Sequence, residues 1–280
     1  LPPHPVLPDI LPETFRAWFA AKGWAPRPHQ LDLLSRAEAG ASVLLIAPTG
    51  AGKTLAGFLP SLVDLARRPR RKPGTRPPGV HTLYVSPLKA LAIDIQRNLS
   101  VPISEIGLKI SLEARTGDTS ASRRQRQKTN PPDILLTTPE QLALLLSHAD
   151  AETFFSDLRT VVFDELHSLV TSKRGHLLAL GLARLRQLRP DLRTIGLSAT
   201  VSEPDELRAW LVGQPSPEPE ETRLADLVTV EGGAKPEITI LKSQTRVPWQ
   251  GHMARYAMPE IYEAIQAHRT TLLFVNTRSQ

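Results

Sequence analysis

The chain has 280 residues, 41% of them hydrophobic and 22% charged, with a formal net charge of +6 and no cysteine. This length and balance can bury a large core without covalent staples, and they exclude a wholly disordered chain, a collagen-like rod and a coiled coil. The missing cysteines exclude disulfide scaffolds, thiolate zinc sites and cysteine nucleophiles, and are compatible with a reducing compartment.

In chain order, a strand expected at Ser42–Ala47 leads into a helix at Lys53–Arg67, and a strand at Thr82–Ser86 into a helix at Ala90–Leu99. Strands at Lys109–Ala114 and Ile134–Thr137 precede a helix at Glu140–Ser147. A strand at Val161–Asp164 precedes a helix at Gly175–Arg189, and one at Thr194–Leu197 precedes a helix at Glu203–Val212. Strands alternating with helices imply a parallel sheet in an α/β fold. The unbroken apolar character of SVLLIA and TVVF fits strands buried on both faces.

After Val212 the proline- and acid-rich GQPSPEPEET reads as a linker. LVTVE and EITIL are short strand-like runs, Pro259–His268 reads as a helix, and Thr271–Asn276 as a strand. The expected organisation is therefore a first domain over residues 1–212, a linker with short strands over 213–255, and the start of a second domain over 256–280. The chain does not begin with methionine, and both of its ends read as cuts. No apolar run approaches the roughly 20 residues that span a bilayer, and the N-terminus lacks the basic and apolar regions of a signal peptide. No membrane partner and a cytoplasmic location are expected.

The basic residues are concentrated. Six lie between Arg67 and Arg76 and four between Arg123 and Lys128, with no acid in either segment; without those ten, 24 basic residues face 28 acidic ones. The first segment is proline-rich and reads as an exposed loop, either merely solvated or an auxiliary contact to DNA phosphates.

Three segments carry chemistry. Ala47-Pro48-Thr49-Gly50-Ala51-Gly52-Lys53-Thr54 lies between a buried strand and a helix, the setting of a phosphate-binding loop. Its glycines let backbone N–H groups surround phosphate oxygens at a helix N-terminus. Lys53 would reach the β- and γ-phosphates, and the Thr54 hydroxyl would ligate Mg²⁺. Asp164-Glu165-Leu166-His167 follows TVVF, and its adjacent carboxylates repel unless a cation relieves them. Magnesium bound to ATP supplies that cation: Asp164 would hold the ion, and Glu165 would orient or deprotonate the attacking water. Ser198-Ala199-Thr200 places two hydroxyls in a turn that can bridge to the Asp164–His167 segment.

The ordered set APTGAGKT, SPLKALAIDIQRNL, TTPE, DELH and SAT resembles superfamily 2 helicases with a DExH box. The longer stretches RTGDTSASRRQRQKTNPPDILLTTPEQLALLL and VPWQGHMARYAMPEIYEAIQAHRTTLLFVNTRSQ resemble the Lhr group, especially the ligase-associated DEXH-box DNA helicases. The resemblance implies a RecA-like P-loop domain followed by the start of a second one. It implies ATP and Mg²⁺ as cofactors, with catalytic roles for Lys53, Asp164, Glu165 and His167. Gln30 would read the adenine edge, with Trp24 or Arg27 against the purine, and Thr49, Gly50, Ala51, Gly52, Lys53 and Thr54 would hold the phosphates. Ser198 and Thr200 would couple the two activities. Pro87, Lys89, Arg97, Gly117, Thr138, Pro139 and Arg278 would contact nucleic acid, through phosphates rather than bases.

The implied function is an ATP-driven 3′-to-5′ DNA translocase of repair, acting on single-stranded DNA or a tailed duplex, with DNA–RNA hybrids as a further substrate and a repair ligase or nuclease as partner. Two alternatives remain open at this point: an RNA helicase of a related DExH group, and a non-catalytic nucleic-acid-binding module. The resemblance also implies that arginines of a complete second domain finish the ATP site, so the chain alone is expected to turn ATP over slowly. Such arginines are worth about 10³ to 10⁵ in related enzymes.

Overall fold

Short apolar, β-branched runs can bury both faces only in a sheet covered on both sides. The computed structural model describes residues 10–69, 79–199, 201, 203–215, 221–232, 237–241 and 257–275, and within them these runs form such a sheet. Its strands are β1 (Val43–Ile46), β2 (Thr82–Val85), β3 (Leu112–Arg115), β4 (Ile134–Thr137), β5 (Thr160–Phe163), β6 (Arg193–Ser198) and β7 (Asp226–Thr229). They lie in the order β3-β4-β2-β5-β6-β1-β7, and every neighbouring pair is parallel.

The helices are α1 (Glu13–Ala21), α2 (Pro28–Glu38), α3 (Lys53–Arg67), α4 (Lys89–Ile106), α5 (Ala121–Thr129), α6 (Pro139–Leu146), α7 (Ala151–Phe154), α8 (Leu166–Val170), α9 (Lys173–Leu188), α10 (Pro204–Trp210) and α11 (Met258–Gln266). Successive strand residues point to opposite faces, so the sheet feeds two cores. Val43, Leu45, Tyr84 and Val162 pack with Phe15 and Phe19 of α1, Phe58 and Leu62 of α3, and Leu99 of α4. Leu44, Leu83, Val161 and Phe163 pack with Leu142 of α6, Leu166 of α8 and Leu178 and Leu182 of α9.

The first six expected strands and the helices following them are present, β4 and α3 with the expected bounds and the others with shifted ends. The helix expected to stop at Leu99 runs on through Pro102 to Ile106 and closes at Gly107, whose φ is +77°. That left-handed conformation is one glycine adopts without strain. Two N-terminal helices had no counterpart among the expected elements. Phe15, Trp18 and Phe19 give α1 its buried stripe. Pro28 opens α2, where the Gln30 side chain accepts from the Arg27 N–H at 2.9 Å.

The chain divides into two units, Leu1–Gly233 and Ala234–Gln280. The first extends past Val212 because LVTVE supplies β7, which pairs with β1 and is tethered by Arg36 to Asp226 at 2.9 Å. Within the second unit α11 matches the helix expected at Pro259–His268. The strands expected at EITIL and Thr271–Asn276 do not form over residues 237–241 and 271–275, where no described segment offers a ladder partner. Asn276, Arg278, Thr200 and residues 70–78 of the proline-rich basic loop lie outside the described residues. Among the described residues no helix is long and apolar enough to cross a membrane.

His81, just before β2, is fully buried. Its Nδ1 lies 2.8 Å from Thr82 Oγ1, and its Nε2, 4.0 Å from Asp64 Oδ2, has no hydrogen-bond partner among the described residues. Burial, with the charges of Arg68, Arg159 and Arg193, pushes its pKa down to about 3 against the opposing pull of Asp64. The folded state thus holds a neutral imidazole, while the unfolded chain takes up a proton near the ordinary value. Stability is full above that value and declines as pH falls toward the folded one. The expected loss between about pH 7 and pH 5 is about 2 kcal/mol from this residue. Urea midpoints at the two pH values should differ less in His81→Gln than in the parent; an equal difference in both proteins would refute the assignment.

Candidate active site

Because all seven strands run the same way, their carboxyl ends share one edge of the sheet, where ligands of open α/β sheets bind. Each motif read from the sequence begins at that edge, and its first residue is still held by the sheet. Ala47 N–H donates to Ser198 O at 3.2 Å, Ser86 N–H to Thr137 O at 3.1 Å and Asp164 N–H to Val85 O at 2.9 Å.

The motifs divide by strand. The phosphate loop, DELH and SAT follow β1, β5 and β6, which are neighbours. SPLK, RTGD and TTPE follow β2, β3 and β4, the other half of the sheet.

In the phosphate loop Gly50 and Gly52 have φ of +80° and +77°, and Gly52 caps α3. Lys53 Nζ donates to the Ala47 and Pro48 carbonyls at 2.8 and 3.3 Å, so the ammonium lies along the loop. The α2 start buttresses the loop: Arg27 Nη1 donates to Gly50 O at 3.0 Å, and Gln30 Nε2 reaches Gly52 O at 3.5 Å. Gln30 is buried beside the loop, Trp24 is exposed and stands edge-on to Trp18, and Thr49 is exposed at the loop tip. His29 is also buried here; burial lowers its pKa, partly offset by a hydrogen bond to the Ala51 backbone.

Two strands away, the Asp164 carboxylate is fixed at both oxygens. Tyr84 OH donates to Oδ2 at 2.6 Å, and the Glu165 N–H donates to Oδ1 at 3.0 Å. Tyr84 is buried on β2 and stacked against Phe58. Burial, reinforced by the Asp164 charge, pushes the phenol pKa up, so it stays a donor. Glu165 has φ +47° and ψ +45°, and is the one non-glycine residue with positive φ among the described residues. Such a conformation costs about 1–2 kcal/mol for an L residue and clusters at functional sites. His167 Nε2 lies 3.4 Å from Glu165 Oε2, and its Nδ1 lies 2.8 Å from Ser198 Oγ. The imidazole thus joins the DELH turn to the end of β6.

On the other half of the edge, Lys89 is exposed and pairs with Asp118 at 2.6 Å, which ties SPLK to RTGD. Gly117 is exposed, Thr138 and Pro139 are buried at the start of α6, and Arg97 is exposed on α4. Three of the four basic residues of α5 pair with groups of the fold, Arg123 and Arg126 while remaining exposed. Arg123 and Arg126 meet Glu113 at 3.6 and 2.7 Å, and Arg124 Nη2 donates to the Thr116 and Gly117 carbonyls at 3.2 and 2.7 Å. Pro87 O accepts from Arg174 of α9.

Residues 27–207 match the family model of the DEAD/DEAH box helicases. The chain belongs to that family.

Among DEAD/DEAH box helicases it is 40% identical over 279 residues to the Lhr helicase/probable uracil glycosylase of Mycolicibacterium smegmatis, an alignment covering 94% of this chain and 18% of that protein. It is 36% identical to the ATP-dependent helicase Lhr-Core of Methanothermobacter thermautotrophicus, over 99% of this chain and 32% of the relative. Its fold matches the structure of Mycobacterium smegmatis helicase Lhr bound to single-stranded DNA and AMP-PNP with a TM-score of 0.76 and 36% identity, over 96% of this chain and 34% of that one. The chain thus spans about a fifth to a third of the length of these curated relatives.

Arg27 as a brace of the phosphate loop, Tyr84, and Arg174 were not singled out from the sequence for these contacts. Their signals are geometric, since each acts on a partner distant in the chain. The loop itself generates one prediction. A Cβ on Gly52 would stand 3.1 Å from Gln30 Nε2 in a backbone conformation that L residues avoid. Gly52→Ala should lower stability by about 1–2 kcal/mol and weaken nucleotide binding. Thermal melts with and without nucleotide measure both, and an unchanged melt would mean the loop relaxes freely.

Proposed function

We propose that this chain carries the ATP-binding lobe of a motor that tracks along single-stranded DNA. The observation that carries the reading is the division of the edge: phosphate loop, DELH and SAT after β1, β5 and β6, and the strand-contact motifs after β2, β3 and β4. The two halves meet where β2 pairs with β5. The similarity to an Lhr helicase whose structure holds single-stranded DNA and AMP-PNP supports both ligands.

The donor set suits a hard divalent cation: the Thr54 hydroxyl in the first turn of α3 and the Asp164 carboxylate after β5 are the oxygen donors that would hold it. Their strands β1 and β5 are separated only by β6, about 10 Å across, which leaves room for phosphates between them. Magnesium bound there with ATP would neutralise charge on the β- and γ-phosphates. In this reading Lys53 exchanges the Ala47 and Pro48 carbonyls for phosphate oxygens. Glu165 orients the attacking water and takes its proton, and His167 with Ser198 and Thr200 relays the state of the site to the neighbouring strand end. Gln30 reads the adenine edge. Pro87, Lys89, Arg97, Gly117, Thr138, Pro139 and Arg278 hold the DNA backbone.

We assign residues 256–280 to the start of a second RecA-like domain, residues 213–255 to the connection and residues 1–212 to the ATP-binding domain proper, with β7 as an added edge strand. The setting we propose is DNA repair in the cytoplasm, where ATP and the DNA track are both at hand. DNA–RNA hybrids are a further substrate, and a repair ligase or nuclease is a partner.

Lys53→Ala should abolish ATP binding. Glu165→Gln should leave binding intact while DNA-stimulated turnover falls about 10²- to 10⁴-fold. Fluorescent-nucleotide titration and phosphate release in the full-length protein test this, and turnover surviving in Glu165→Gln would overturn the role of that carboxylate.

Tyr84→Phe removes the donor that orients Asp164. The Mg²⁺ concentration for half-maximal nucleotide binding should rise about tenfold, at a cost to folding of about 1 kcal/mol. An unchanged Mg²⁺ dependence would show that the Glu165 N–H alone orients the carboxylate.

A further inference from the structure

Arg174 stands on the second residue of α9. Its guanidinium makes three hydrogen bonds: Nε to Glu140 Oε1 at 2.5 Å, Nη2 to Glu140 Oε2 at 3.0 Å, and Nη1 to Pro87 O at 2.6 Å. This is a bidentate fork on a carboxylate with a third donor aimed at a backbone carbonyl, a geometry that only arginine supplies. The two acceptors belong to different segments. Pro87 lies in the SPLK loop after β2, and Glu140 follows Thr138-Pro139 in the TTPE segment after β4. β2 and β4 are adjacent strands.

The other end of the tether is equally defined. α9 is capped by Ser172, whose hydroxyl accepts from the Gly175 N–H, and the helix starts hard against α8. A Cβ on Gly175 would lie 2.0 Å from Leu169 O. α8 begins directly after Glu165, so Arg174 sits on a rigid continuation of the DELH turn.

Exposed ion pairs contribute little to folding, and the Arg174 and Glu140 side chains are 40% and 49% exposed. A fixed three-bond geometry at such a site is better explained by placement than by stability. The Glu140 carboxyl is held below its ordinary pKa first of all by the Arg174 hydrogen bond, so the pair remains charged across neutral pH.

We propose that Arg174 is a positioning residue that locks the SPLK loop and the TTPE helix start in one register relative to the DELH segment, and so sets the spacing of their contacts to the DNA backbone. This rests on the proposed reading of those two segments as strand-binding. Arg174 itself need not touch DNA. The register is lost when the fork is lost, even if the fold survives.

The test uses the full-length protein and a fluorescent single-stranded oligonucleotide. Arg174→Ala should weaken DNA binding about tenfold and raise by the same factor the DNA concentration that half-stimulates ATP hydrolysis. The KM for ATP and the urea midpoint should be unchanged. Arg174→Lys keeps the charge but not the fork, and should recover less than half of the lost affinity. Adding Glu140→Ala to Arg174→Ala should cost nothing further, because both act through one contact. Unchanged DNA affinity in Arg174→Ala, full rescue by lysine, or a parallel loss of DNA binding, ATP affinity and stability would each overturn the proposal. If the parent protein does not bind single-stranded DNA, the functional reading fails and this proposal fails with it; if the parent binds and Arg174→Ala binds equally well, only the proposal fails.

Discussion

Parallel strand pairing is the constraint on which the rest of the molecule depends. A parallel ladder can be continued only by bringing the chain back across a face of the sheet, so each strand is followed by a crossover and each strand end returns to the same edge. Segments as far apart in sequence as Ala47 and Ser198 thereby become neighbours at the ends of β1 and β6. The ladder also reaches into the motifs: Ala47, Ser86 and Asp164 each donate a backbone N–H to a neighbouring strand. The functional loops are thus extensions of a buried, hydrogen-bonded sheet rather than excursions from it, and their first residues inherit its rigidity.

Polar contacts between those extensions make a network out of separate loops. Tyr84 on β2 holds Asp164 after β5, His167 meets Ser198 at the end of β6, and Arg27 and Gln30 brace the phosphate loop from α2. Burying a tyrosine hydroxyl or a glutamine amide is unfavourable unless each finds a partner. Here the partners are the groups to which the proposed chemistry is assigned, so satisfying the buried polar atoms and arranging the candidate site are one event. The left-handed Glu165 fits the same pattern, because its own N–H is turned onto the Asp164 carboxylate.

Much of this was legible in the sequence because the signals were local. The phosphate loop announces itself through Gly50, Gly52, Lys53 and Thr54 between a strand and a helix. α3 appears with the expected bounds since its apolar spacing and its starting loop agree. What was illegible depends on contacts between distant residues. Tyr84 sits in TLYV, which reads only as a buried strand, and Arg174 sits in a run of ordinary helix formers. The pairing of the α5 arginines could not be foreseen because Glu113 and the Thr116 carbonyl meet them only after β3 folds alongside. The run at Thr271–Asn276 shows the converse: a strand-like pattern forms no strand over residues 271–275, where no described segment pairs with it.

β7 has a practical consequence. It covers the outer backbone of β1 from Val43 to Ile46, directly beneath the phosphate loop, and Val230 N–H adds a further bond to Ile46 O. A piece of this protein cut at Val212, where the helix-and-strand alternation ends, would leave that row of amides and carbonyls bare on a flat, entirely apolar strand. Bare edges of that kind recruit strands from other molecules. The natural place to divide the chain for expression is therefore after Gly233; a shorter piece invites aggregation at the strand that leads into the phosphate loop.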